Sequence, residues 1–250
     1  MSVHLPSAGT NDQLHTYLGA LFGRETGRGL IEVRYRKPGG AMRQRFYRPR
    51  ALQRALPTLR VLARRHDVYL GVAPRRARHG GLDAIGHCWA LWIDCDGDTS
   101  ALQRFGQAPS MTVASSSGAG HQHAYWLLDQ PLDANRVAVL NGRLAHALHG
   151  DPQSADAARI LRPPGTHNHK HDPVTAVTLT NFTGETYDPE ALAGGLCDPP
   201  PVPGLIAPAV TRPRGSNGPR THDKAQHAQC SSASDAARCD WRSSGQVGPP

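Results

Sequence analysis

Two aspartates at the end of an apolar run, Asp94 and Asp96, form the pattern in this sequence best suited to chemistry. They follow the run from Ala90 to Ile93 and are separated only by Cys95. If the run is a strand, both carboxylates project from one side, roughly 6.5–7 Å apart along the chain, while Cys95 faces the other way. The same pattern is also typical of a plain turn after a strand, in which Asp98 would cap the following helix.

Metal binding is the chemistry that such an acidic pair supports. Two like charges held side by side are costly unless a cation lies between them. Carboxylate oxygens suit Mg²⁺ or Mn²⁺, and two such ions about 3.5–4 Å apart can hold the attacking and leaving oxygens of a phosphoryl transfer. The pair is therefore a candidate site for two divalent ions, with the strand-end turn as the alternative.

A second polar segment, Ser115 to Leu128, leaves one strand through serines and glycines and re-enters as another. The alternation of the second strand places His121 and His123 on one face. Glycines let a backbone approach a phosphate closely, and a histidine can donate to a phosphate oxygen. Taken alone, the segment is also typical of an ordinary hairpin with a polar edge.

A third segment, Asp151 to Lys170, combines one further acid with several bases. Asp156 comes shortly before the apolar pair Ile160 and Leu161, and the turn PPGT follows Arg162. An acid among basic side chains is suited to bridging a metal and a triphosphate. A single loop of this composition would not identify a function.

Basic residues are concentrated between Arg34 and Arg78, where fourteen of the 28 lysines and arginines meet a single acid, Asp67. An alternating hairpin would place Arg34 and Arg36 on one face, and Arg43 and Arg45 likewise, which suits a strip that follows a polynucleotide backbone. Such a charge run is also typical of a solvated face. The hypothesis is that five arginines contact single-stranded DNA, namely Arg34, Arg36, Arg43, Arg45 and Arg48.

The composition favours a polyanionic partner, because the formal net charge is +8 and the pI is about 9.7. No apolar run approaches the roughly 18 residues that a membrane helix needs. The N-terminus also lacks the pattern of a signal peptide, so we expect a cytoplasmic protein with no membrane partner. Five cysteines without a CxxC motif argue against a disulfide framework and a zinc site.

The elements that must position these groups alternate between helix and strand, which indicates the α+β class. Residues 1–196 are predicted to fold, whereas 197–250 are rich in Pro, Gly and Ser and are predicted to be a disordered tail. The periodicities predict helices from Asn11 or Asp12 to about Phe22, over Ala51–Arg65 and over Leu132–His149, and strands at Ile31–Arg36, 42–48, 67–74, 87–96, 111–117, 121–128 and Val174–Phe182.

The order of these motifs resembles the archaeo-eukaryotic primase superfamily, and within it the primase domain of RepB-like plasmid and phage replication proteins. The resemblance covers about Asp67 to Lys170. It rests on ALWIDCD, on the Ser-Gly turn that leads into HAYW, and on LRPPGTHNHK, which is similar to the family's RLPGT-x-N-x-K segment. The combination is specific, whereas each motif singly is not.

The resemblance implies an RRM-like catalytic core with a mixed or antiparallel sheet, over about 67–196, preceded by a small α/β element over about 1–66. It implies a metal-dependent nucleotidyltransferase that makes primers on single-stranded DNA from nucleoside triphosphates, with a separate replicative helicase as a further partner. No GxxxxGK[ST] motif occurs in the sequence, so no helicase domain is expected in this chain.

The resemblance also implies roles for individual residues. Asp94, Asp96 and Asp156 correspond to the catalytic carboxylates that bind two Mg²⁺ or Mn²⁺ ions, with Asp151 as a weaker candidate for the third. The residues that correspond to nucleotide contacts are Ser117, His123, Arg162 and Lys170. One departure is Pro163, which stands where the family usually has an apolar residue.

Two other function classes fit parts of the sequence. A rolling-circle nickase would use His121 and His123 to hold one metal, and Tyr17 is the tyrosine in a predicted helix that could act as its nucleophile. A non-catalytic protein that binds a replication origin would use the fold only to grip DNA. An assay of the reaction products would separate the three functions. A primase forms dinucleotides in the presence of metal, a nickase leaves a protein–DNA adduct, and a binding protein gives neither product.

Overall fold

The computed structural model of the chain describes residues 10–25, 27–116 and 121–200, with no side-chain description for residues 10–12 and 52–54. The predicted disordered tail therefore lies outside the described residues from position 201 onward. The described part contains the helices α1 (Thr10–Phe22), α2 (Leu52–Ala63), α3 (Ser100–Arg104) and α4 (Ala134–Ala147), and the strands β1 (Ile31–Arg36), β2 (Arg43–Tyr47), β3 (Asp67–Gly71), β4 (Cys88–Asp96), β5 (Met111–Ala114), β6 (His121–Leu132), β7 (Ile160–Leu161), β8 (Thr166–Asn168), β9 (Thr175–Phe182) and β10 (Thr186–Tyr187).

The strands form two sheets. One has four strands in the order β2-β1-β3-β7, with antiparallel pairing throughout. The other has six strands, in which β6 pairs with β4, β5 and β10, and β9 joins β5 to β8. Among the described strands, the pair of β10 with β6 is the only parallel one. The predicted α+β class with a mixed sheet is confirmed.

The first hairpin closes through the turn Lys37–Gly40. The amide of Gly40 donates to the carbonyl of Lys37 at 2.9 Å, and Gly39 has a φ of 71°. Pro38 followed by a glycine with positive φ is the signature of a type II turn. This turn places Tyr35 directly opposite Arg43, and it therefore sets which side chains of β1 and β2 share a face.

The four-stranded sheet joins the predicted N-terminal element, 1–66, to the rest of the fold. Strand β1 pairs with β3, so that Arg36 lies opposite Asp67. A buried ion pair strengthens this junction, because the Nε of Arg75 donates to Glu32 at 2.8 Å and neither side chain is exposed. The same guanidinium donates to the carbonyls of Ala157 and Ala158, which lie shortly before β7 in the third polar segment.

Strand β4 is apolar along most of its length because both of its faces are covered. Trp92 is fully buried, and its indole Nε1 donates to the carbonyl of Ser154 at 2.9 Å. The Trp92 amide donates to the side chain of Asn141, a buried residue of α4. The helix α4 thus fixes β4 from one side, and the buried strand emerges at Asp94.

No helix among the described residues is both long enough and apolar enough to cross a membrane.

Candidate active site

The candidate site is built on the pairing of β4 with β6. Asp94 lies opposite His123 and Asp96 lies opposite His121, so all four side chains project from one face of the sheet. The Oδ1 of Asp94 lies 3.6 Å from the Nε2 of His123, and the Oδ1 of Asp96 lies 2.9 Å from the Nδ1 of His121. Cys95 faces the other way and is 1% exposed, as the alternation predicts.

Asp94 is the electrostatically strained member of the pair. Burial raises the pKa of Asp94 to about 6, and the charge of Asp96 adds to this shift. Arg159 and Arg162 oppose it, while Asp151 reinforces it. A carboxylate that is held beside another acid in a largely buried position is one that a cation would stabilise.

His123 is neutral at physiological pH. Burial lowers the pKa of His123 to about 3, and the nearby charge of Arg162 acts in the same direction. The Nδ1 of the ring lies 3.4 Å from the hydroxyl of Tyr125. By contrast, His121 is about half exposed and contacts the exposed carboxylate of Asp96.

The third acid predicted from the resemblance, Asp156, occupies a turn. Its Oδ1 accepts from the amide of Ala158 at 2.9 Å. Asp151 is tied more closely to the pair, because its amide donates to the carbonyl of Asp94 at 2.7 Å and its Oδ2 accepts from Arg159. The charge of Asp151 also contributes to the raised pKa of Asp94. The structure thus places Asp151, the weaker candidate, next to Asp94.

Arg162 lies within electrostatic range of both Asp94 and His123. Its Nη2 donates to Asp67 at 3.2 Å and to the hydroxyl of Tyr69 at 2.7 Å. Its Nε is buried and has no hydrogen-bond partner within the described part of the chain. Arg162 therefore holds a fixed charge beside the acids.

Lys170 and Ser117 are the two remaining predicted nucleotide contacts. Lys170 is exposed, and its amide donates to the side chain of Asn168. Asn168 is buried and donates to the carbonyl of Ser115 at 3.0 Å, which links the basic segment to the hairpin of His121 and His123. Ser117 falls within 117–120, outside the described residues.

The donor set suits a hard divalent cation, although it is incomplete. Asp94 and Asp96 offer carboxylate oxygens on a shared face, which are the ligands that Mg²⁺ and Mn²⁺ prefer. Within 10–25, 27–116 and 121–200, no three His, Cys, Asp or Glu side chains are grouped closely enough to hold a metal ion. The two aspartates fit a divalent ion that brings further ligands with it, such as the oxygens of a triphosphate.

The predicted strip of arginines is divided between two faces, which corrects the prediction of a single strip. Arg34 lies opposite Gln44, and Tyr35 lies opposite Arg43, so Arg34 and Arg36 project from one face while Arg43 and Arg45 project from the other. The length of the turn sets the pairing register of β1 and β2. The alternation within each strand does not show which residues of the two strands lie opposite one another.

The two faces also differ in their ion pairs. Arg34 donates to Glu32 at 2.6 Å, and the Nε of Arg36 lies 4.0 Å from Asp67. On the opposite face Arg43 and Arg45 are exposed, and the guanidinium of Arg45 lies 5.5 Å from the ring of Tyr35. Arg48, which follows β2, is also exposed.

A pocket of about 290 Å³ opens at the end of the hairpin. Its described lining contains three cations, one histidine and no acidic side chain; the lining residues are Tyr35, Arg36, Lys37, Gly40, Ala41, Arg43 and His66. The Nε of Arg36 is buried and lacks a hydrogen-bond partner among the described residues. Asp67, which faces Arg36, also accepts from Arg162, so the pocket lies close to the candidate active site.

Three residues that contribute to the site were not predicted from the sequence. Asp67 is the buried counter-charge of Arg162, Asn168 joins two motifs, and Tyr125 contacts His123. Both Asn168 and Tyr125 lie inside the motifs that carry the resemblance, so their position in the sequence could have indicated a role in the site. Asp67 carries no such signal, because its partner is 95 residues away in the sequence.

Solved structures share this fold at low sequence identity. The AEP domain of the primase-polymerase of cyanophage S-2L matches with a TM-score of 0.58 and 20% identity, over 74% of this chain and 97% of that one. The primase RepB′ matches with a TM-score of 0.58 and 21% identity, over 74% of this chain and 61% of that one. The catalytic domain of RepB′ in complex with initiator DNA matches with a TM-score of 0.56 and 21% identity, over 73% of this chain and 93% of that one.

No family model matches the sequence, and no curated protein matches it. At the level of the fold, the predicted resemblance is confirmed, because the matching chains are primase domains.

The raised pKa of Asp94 predicts a pH-dependent cost in stability without metal. The folded protein binds a proton more tightly than the unfolded chain, so stability is lost as the pH rises from about 4 to about 6. Asp94→Asn removes this pH-dependent cost in stability. It should stabilise the protein relative to wild type by about 2–3 kcal/mol at pH 7, and by little at pH 4. Urea unfolding in EDTA at both pH values measures the difference.

Asp96→Asn is the matched control, since Asp96 is mostly exposed and should show a smaller pH dependence. An Asp94→Asn protein whose stability relative to wild type is the same at pH 4 and pH 7 would contradict the electrostatic account.

Proposed function

We propose that this chain, which has the fold of archaeo-eukaryotic primase catalytic domains, is a metal-dependent DNA primase-polymerase of plasmid or phage replication. The observation that carries the proposal is the cross-strand pairing of two carboxylates with two histidines at the end of a buried strand. The reaction class is nucleotidyl transfer on a single-stranded DNA template.

The acids would hold the metal. Asp94 and Asp96 are the ligands for Mg²⁺ or Mn²⁺, and Asp151 or Asp156 would supply a third carboxylate. When bound, divalent ions neutralise the charge that develops on the phosphates during transfer. A cation would also offset the burial and the repulsion from Asp96 that together raise the pKa of Asp94.

The neighbouring side chains would bind the nucleotide. His123 is neutral and buried, so it can offer one ring N–H to a phosphate oxygen without a competing water. Arg162 brings a fixed positive charge close to Asp94 and His123, and Lys170 and Ser117 are further proposed contacts. A rigid donor set of this kind orients the triphosphate before the reaction.

The basic hairpin would hold the template. Arg43, Arg45 and Arg48 are exposed on the edge strand and its exit, and the pocket beside them is lined by cations. Arg34 and Arg36 would contribute through the opposite face, where their charge is partly offset by Glu32 and Asp67. Phosphate contacts of this kind give affinity without sequence preference.

The nickase alternative is disfavoured by the position of Tyr17. The side chain is fully buried in α1, and burial raises its pKa above the usual range. A nucleophilic tyrosine must reach a DNA phosphate, which a buried phenol cannot do. A non-catalytic DNA-binding protein would not need the strained acidic pair.

Dinucleotide formation tests the proposed function. The full chain is incubated with single-stranded DNA, labelled nucleoside triphosphates and Mn²⁺ or Mg²⁺, and the products are separated on a gel. Wild type should form metal-dependent products, and Asp96→Asn should form none while remaining folded. Asp98→Asn is the control, because both carboxylate oxygens of Asp98 accept hydrogen bonds from Ser100. Metal-dependent products from Asp96→Asn at the wild-type rate would contradict the assignment.

His123 and His121 should differ in nucleotide binding. His123→Ala should weaken nucleotide affinity by about 1.5–3 kcal/mol, the value of a hydrogen bond to a charged group, and His121→Ala should weaken it less. The reason is that His123 is buried beside Arg162, whereas His121 is half exposed. Calorimetry with a nucleoside triphosphate and Mg²⁺ gives both values, and a larger loss in His121→Ala would reverse the assignment.

The exposed arginines of the hairpin should set the salt dependence of template binding. Changing Arg43 and Arg48 to Ala should reduce the slope of log affinity against log salt by about 1.4, because each phosphate contact on a single strand contributes about 0.7. Fluorescence anisotropy with two unrelated oligonucleotides measures the slope and should show equal losses. Changing the exposed Arg28 and Arg104 to Ala removes the same charge elsewhere and should leave the slope nearly unchanged. Equal slopes for both double variants would show that the hairpin arginines are only solvated.

A further inference from the structure

A chain of polar side chains runs through the core from helix α1 to Asp94. The hydroxyl of Tyr17 lies 3.1 Å from the hydroxyl of Tyr125, which lies 3.4 Å from the Nδ1 of His123. The Nε2 of His123 in turn lies 3.6 Å from the Oδ1 of Asp94. Both tyrosines are fully buried and His123 is 4% exposed, so these groups depend on one another for their partners.

The two rings of the tyrosine pair fix the hydroxyls in place. Tyr17 and Tyr125 meet edge to face, with ring centroids 5.5 Å apart and an interplanar angle of 81°. Tyr125 meets the ring of His123 in the same manner, at 6.3 Å and 85°. This packing leaves each hydroxyl little freedom to turn toward any other partner.

The hydroxyl of Tyr125 and the charge of Asp94 act on opposite sides of the His123 ring and favour the same tautomer. An ionised carboxylate only accepts, so the proton of the neutral His123 ring is favoured at Nε2, which faces Asp94. The Nδ1 atom is then an acceptor, and the Tyr125 hydroxyl must donate to it. The oxygen of Tyr125 is left to accept from Tyr17, so every donor in the chain points toward Asp94.

We propose that Tyr17 and Tyr125 are positioning residues, which hold His123 in the tautomer that presents an N–H at Nε2 to the oxygen of a nucleotide phosphate. The inference rests on the proposed function, in which His123 contacts the nucleotide. It assigns Tyr17, a residue of the first helix, a role in nucleotide binding that acts only through Tyr125. A purely structural tyrosine pair would affect stability without affecting the tautomer.

The tautomer of His123 can be measured without metal or nucleotide. Nitrogen-15 spectra of the full chain with labelled histidine, at pH 8, distinguish a protonated Nε2 from a protonated Nδ1, and the signal that disappears in His123→Gln identifies the residue. Wild type should show one tautomer, with the proton at Nε2. Tyr125→Phe, which keeps the ring and removes the donor, should give a mixture of tautomers or the Nδ1–H form. An unchanged signal in Tyr125→Phe would overturn the proposal.

A double-variant cycle on nucleotide affinity tests whether Tyr17 acts through Tyr125. The probes are ATP and dATP, each with Mg²⁺, titrated by calorimetry. Tyr125→Phe should bind the better of the two about threefold to tenfold more weakly, the range expected for one neutral hydrogen bond, and Tyr17→Phe should lose less. In the Tyr125→Phe background, Tyr17→Phe should have no further effect. An equal loss from Tyr17→Phe in both backgrounds would overturn the relay.

A stability control separates positioning from packing. Leu18→Ala removes buried apolar volume from the same helix without removing a hydroxyl, so it should lower the melting temperature and leave both the tautomer and the nucleotide affinity as in wild type. A change of tautomer in Leu18→Ala would instead show that general loosening of α1 is sufficient. If neither nucleotide binds to wild type, the proposed function fails, and the tautomer signals alone decide whether the tyrosines set His123.

Discussion

The pairing register of β4 and β6 is the constraint on which the candidate site depends. It places Asp94 opposite His123 and Asp96 opposite His121, and a shift of one residue would put the aspartates and the histidines on opposite faces of the sheet. The buried part of β4 fixes this register, since Trp92 is held by Asn141 and by the carbonyl of Ser154. The apolar strand thus fixes the direction of two carboxylates that lie where the core ends.

Buried ion pairs bring the basic segments to this point. Arg75 joins β1 to the loop before β7 through Glu32, and Asp67 holds Arg162 beside the acids. Both carboxylates are almost fully buried, so a lost partner would leave an uncompensated charge. Positive charge is therefore positioned around Asp94 without directly neutralising it, which suits a site that must bind both a cation and a triphosphate.

The sequence predicted those features that depend on local pattern. The long elements follow their periodicity, including α1, the first hairpin and β4, and the acidic pair ends β4 as expected. The strands β7 and β8 were missed because two or three residues are too few to show alternation. The division of the arginines between two faces depends on the turn at Pro38, and the Tyr17–Tyr125 contact joins residues 108 positions apart, so neither could be read from local spacing.

The most direct measurement is to locate a bound Mn²⁺ ion by its paramagnetic effect on labelled histidines. We expect the signals of His121 and His123 to broaden first as Mn²⁺ is added to the full chain, while that of His79, in a loop outside the site, stays sharp. Changing Asp94 and Asp96 together to Asn should abolish this selective broadening. Uniform broadening of the histidine signals, or the same selective effect in the doubly changed protein, would contradict the claim that this acidic pair holds the metal.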